Sequence, residues 1–142
     1  MRMKLKKLIF DTPNKNNDYV TYENQLKTRY IFSSSRLKNL FYENYDYIML
    51  TVENAITEYI NNEDLCNDDE DMFPRKSYLT GEWYISEICF EDLEDMEWLS
   101  VQTAFIADYS GNIDDYLGLD VHFMYDRKKS EFIFDGIDSC AL

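Results

Sequence analysis

A chain of 142 residues with 45% apolar content is long enough to bury a core, and it fits one globular domain over residues 1–142. Its formal charge of −14, from 28 acids against 14 bases, argues against direct nucleic-acid binding, which needs clustered Lys and Arg. No run approaches the ~18 apolar residues of a membrane span.

The charge is uneven. Residues 1–40 hold nine bases and three acids, whereas residues 41–142 hold five bases and twenty-five acids. The segment 1–10 begins like a signal peptide, but its apolar stretch stops at Asp11-Thr12-Pro13, too short for an export signal. The expected location is the cytoplasm, that of the host cell if the protein is phage-encoded. Cys66, Cys89 and Cys140 are widely spaced, and His122 is the one histidine, so reduced structural thiols are expected rather than disulfides or a zinc site.

In chain order, 3–10 reads as a first strand, bounded by a turn signal and pairing as a hairpin with strand-like 19–32. Ser33-Ser34-Ser35 then offers helix-capping hydroxyls. Leu37, Leu40, Phe41, Tyr45, Ile48, Val52, Ile56 and Tyr59 recur at three- and four-residue steps. They predict a long amphipathic helix over 35–60, with a possible break in 42–47.

Residues 62–78 read as an exposed acidic loop. Glu82–Phe90 reads as strand on its aromatic and branched content, with helix as the alternative. Leu99, Val101, Thr103 and Phe105 alternate in the next strand, as do Leu119, Val121, Phe123 and Tyr125 in the one after; 126–130 is a hairpin loop and 131–134 returns. The expected fold is α+β, an antiparallel sheet packed against one long or broken helix.

The chemistry-bearing patterns exclude more than they identify. Asp108, Ser110, Asn112 and Asp114 have calcium-loop spacing. However, Ile113 and Leu119 stand where an EF-hand requires Gly and Glu. His122 lies on the strand face opposite the apolar stripe and reads as structural. No nucleophile elbow or phosphate-binding glycine loop occurs. The expectation is a non-enzyme with no cofactor and no metal.

What stands out is the stretch 62–98, where thirteen carboxylates interleave with large apolar side chains and only Arg75 and Lys76 oppose them. Disordered tails are poor in such residues. This points to a folded surface that displays acid to a basic partner through Asp68, Asp69, Glu70, Asp71, Glu82, Trp83, Glu91, Asp92, Glu94 and Asp95. Tyr84 and Trp98 would add contact area. The twelve tyrosines also favour a protein–protein role.

In profile, though in no motif, the chain resembles phage and mobile-element inhibitors of the anti-restriction and anti-CRISPR kind, which mimic DNA. That resemblance implies a protein that blocks the groove of a basic nucleic-acid-handling protein such as a nuclease. Two alternatives are an immunity protein against a nuclease toxin and an accessory domain whose charge serves solubility alone.

Overall fold

The hydroxyl of Ser34 accepts a hydrogen bond from the Leu37 amide and opens the helical part of the chain. In the computed structural model, which describes residues 6–7, 19–21, 27–61, 82–106 and 113–140, two helices follow. They are α1 (Ser35–Glu43) and α2 (Tyr45–Asn61). The long stripe is therefore broken, and Asn44 breaks it. Its side-chain amide donates to the Leu40 carbonyl (2.9 Å), and its own carbonyl accepts from the Ile48 amide (2.9 Å). Asn thus ends one helix and starts the next with its own hydrogen bonds. The stripe stays on one side through the break. Leu37, Phe41, Ile48, Met49, Val52 and Ile56 are all buried, and Leu40 is partly so.

The strands are β1 (Lys6–Lys7), β2 (Tyr19–Thr21), β3 (Lys27–Phe32), β4 (Glu82–Leu93), β5 (Met96–Ile106), β6 (Ile113–Asp126) and β7 (Glu131–Cys140). Among the described residues they form one sheet in the order β2-β3-β4-β5-β6-β7, with β1 beside β4. The α+β class stands, but the purely antiparallel sheet does not. β3 and β1 both run parallel to β4. The connection from β3 to β4 passes through both helices, and a helical crossover is what lets adjacent strands run parallel. The expected hairpin of 3–10 with 19–32 is also corrected. Lys6 and Lys7 pair with Glu82 and Trp83, and β3 takes β2 as its antiparallel neighbour. The acidic loop expected over 62–78 lies outside the described residues.

From β4 onward the chain is the antiparallel meander that the alternation predicts, with β4 a strand and not a helix. Period two sends Ile88, Phe90, Leu99, Val101, Leu119, Val121 and Phe123 to the side that carries the helices, where all are fully buried. Ile56 of α2 belongs to the same cluster. Truncating it to Ala should cost about 2–5 kcal/mol in urea unfolding, since its removed methyl groups leave a cavity. A cost below about 0.5 kcal/mol would place α2 off this core.

Candidate functional site

The strand register arranges the other side of the sheet into rows. Arg29, Glu87, Gln102, Asp120 and Asp138 lie side by side across β3 to β7. The next row is Ile31, Cys89, Ser100, His122 and Gly136, and the third is Glu91, Trp98, Met124 and Ile133. These side chains are partly or fully exposed, and no described helix packs over them. Tyr84 and Ala104, farther along the same face, are buried, so the open half is the one nearer the β4–β5 turn.

At its centre the Trp98 ring packs at a tilt of 31° against His122, with ring centres 5.2 Å apart. His122 Nε2 lies 3.3 Å from Asp138 Oδ2, and Ser100 donates to Asp120.

Four carboxylates surround this aromatic pair: Glu87, Glu91, Asp120 and Asp138. Within these three rows, Arg29 is the one Lys or Arg residue. The Cys89 thiol reports the resulting field. Burial, then Glu91, Glu87 and Asp120, push it from the ordinary 9.0 up to about 12.

Cys89 should therefore alkylate slowly at pH 8, with a rate still climbing above pH 10. Changing Glu87, Glu91 and Asp120 to their amides should move that profile down in pH. The sign for stability follows. The folded state keeps a proton that the unfolded state loses, so this thiol makes stability fall as pH rises from 9.0 through about 12. A rate that levels off near pH 9 would contradict the acidic face.

At the β4–β5 turn the acids divide between the two sides. Glu91 stands opposite Trp98 on the open face, whereas Asp92 stands opposite Glu97 on the helix side. Glu94 and Asp95 form the exposed tip. Beside it, Met96, Met124 and Tyr125 line an open pocket of about 340 Å³ that Glu94, Asp95, Glu97 and Asp126 share with Arg127 and Lys128.

Glu97 is the exception to acid exposure. Only 1% of it is accessible, and both Arg36 of α1 and Arg127 of the β6–β7 turn donate to its carboxylate. Arg127 also reaches Asp92 at 3.3 Å, and its guanidinium is held above its ordinary value chiefly by the bond to Glu97.

The expected contact residues thus meet different fates. Glu91, Asp92, Glu94 and Asp95 are exposed and close together. Trp83 is corrected: it is 1% accessible and part of the core, because the irregularity between Ile85 and Glu87 sets it on the helix side. Tyr84 is buried too and offers no contact area. Glu82 lies on β4, but its side chain is outside the description, and Asp68, Asp69, Glu70 and Asp71 lie outside the described residues. Glu87, Asp120 and Asp138 were missed: alternation from Val121 marks Asp120 for the open face, but only the strand register brings Glu87 and Asp138 into its row.

The incomplete calcium motif falls largely outside the described residues, and among those described no three His, Cys, Asp or Glu side chains converge on a metal position. Calcium or zinc should leave the melting temperature unchanged. A rise of several degrees reversed by a chelator would contradict this. No protein-family profile matches the chain, and no curated protein or solved structure is significantly similar to it.

Proposed function

We propose that the protein is a non-catalytic inhibitor that binds the basic surface of a nucleic-acid-handling protein and occupies its nucleic-acid groove. The observation that supports this reading is the open half of the sheet, where acids from β4, β6 and β7 frame the Trp98–His122 pair with little opposing charge. Strands stand about 4.8 Å apart. Asp120 and Asp138 are therefore neighbours at about that spacing, and Glu87 is two strands away at about 10 Å.

A magnitude limits how far charge alone accounts for binding. Glu87 and Glu91 are four residues apart on β4, about 13 Å, and duplex DNA of that length carries about eight charges. The face offers four. Acid on it steers and selects, and Trp98 and Met124 must supply contact area beside it.

The test is to capture a partner on the immobilised protein and then challenge the complex with DNA or RNA at two salt concentrations. Nucleic acid should compete, and high salt should weaken the complex steeply. Reversing Glu87, Glu91, Asp120 and Asp138 together should lower affinity on the order of 100-fold, since each exposed pair contributes about 0–1 kcal/mol and reversal adds repulsion. Reversing the turn acids Glu91, Asp92, Glu94 and Asp95, or the group Asp68, Asp69, Glu70 and Asp71, measures how far the surface extends. A captured nuclease toxin encoded beside this chain would make the protein its immunity partner. Unchanged binding in all three variants would reduce the acid to a solubility coat.

A further inference from the structure

β7 is the last strand of the sheet, and among the described residues no strand pairs with its outer side. Such an edge presents amide N–H and carbonyl groups that an added strand can use. Large apolar side chains border it on the helix side. Phe134 is 42% exposed, Tyr47 51% and Leu50 58%. The Tyr47 hydroxyl donates to the Phe132 carbonyl at 3.4 Å, which sets the start of α2 beside β7. Leu50 follows three residues later on the same helix face. Phe134 meets Phe123 edge-on at 6.2 Å, which places its ring on the helix side as well.

The edge is acidic. Glu131, Asp135 and Asp138 are all exposed, and β7 contains no Lys or Arg. Two copies of β7 laid side by side would bring these carboxylates together, and like charges across a strand pair repel. The irregularity near Gly136, whose φ is +153°, further interrupts a long self-pairing. The same charges attract a basic strand.

We propose that the free edge of β7, beside the start of α2, receives an extended segment of the basic partner, alternating apolar with Lys or Arg residues, as an added strand. Alternate side chains of such a strand point to opposite sides. The apolar set would meet Tyr47, Leu50 and Phe134, and the basic set would face Asp138 and the acids of the open sheet. This rests on the reading that the partner is basic, and it specifies how that partner is held.

The test uses the full chain and a synthetic peptide alternating Lys and Val over ten residues, the length of β7. A twin peptide methylated on alternate amide nitrogens keeps the charge but cannot complete a strand ladder. The parent peptide should slow hydrogen exchange at β7 amides, and the twin should bind about tenfold more weakly or worse. Phe134→Lys, at a position 42% exposed, should also weaken the parent peptide.

If both peptides bind equally and perturb Trp98 while β7 exchange is unchanged, the added strand is refuted and the acidic-face reading survives. If neither binds, both readings fail. If β7 amides become protected as the protein alone is concentrated, the edge belongs to a second copy and the proposal is overturned.

Discussion

Replacing Phe41 by alanine is expected to cost about 3–5 kcal/mol of stability, the largest loss from a single truncation among the helix residues. Phe41 is fully buried, and its ring lies within 5.4–6.3 Å of Tyr30, Phe32, Tyr42 and Tyr45. It therefore ties β3 to α1 and to the first residue of α2, across the break at Asn44. Removing it takes away one ring's burial and its contacts with four others, three of them edge-on. Phe41→Leu, which keeps most of the volume, should cost much less. Urea unfolding of both variants checks this. If alanine and leucine cost the same, the ring contacts add nothing beyond apolar bulk.

Phe41 also shows what was readable in the sequence. Its place in the three- and four-residue stripe marks it as core, and the alternation of Leu119, Val121 and Phe123 does the same for β6. Both patterns are local, so one chain segment carries them whole. The parallel pairing of β3 with β4 is not local: it depends on where the chain re-enters the sheet after two helices, and no periodicity records that.

Trp83 is a subtler miss. The residue type favours a contact surface or a core equally, and the irregularity between Ile85 and Glu87 decides its side. The acidic face was legible in kind but not in membership. Acid among aromatics pointed to β4 and its turn, while Asp120 and Asp138 join it only through the register of β5, β6 and β7.

Glu97 was hidden for the same reason, and it carries the second large effect. Among thirteen acids in its stretch it looks like one more exposed charge. Its parity with Leu99 and Val101 instead sends it to the core side, where it is buried between Arg36 and Arg127. A buried carboxylate is costly unless it is paired, and removing its partners is worse than removing the whole group.

Arg36→Met with Arg127→Met should therefore lower the melting temperature by on the order of 10 °C, because Glu97 is left in the interior without a cation. Adding Glu97→Leu to that pair should restore most of the loss, since no buried charge then remains. Glu97→Leu alone leaves two arginines that are already half in water, and its effect should be small beside the double change. The order of the three melting temperatures is the measurement. A triple variant no more stable than the double one would mean that the arginines hold α1 and the β6–β7 turn by packing, and that Glu97 has no need of their charge.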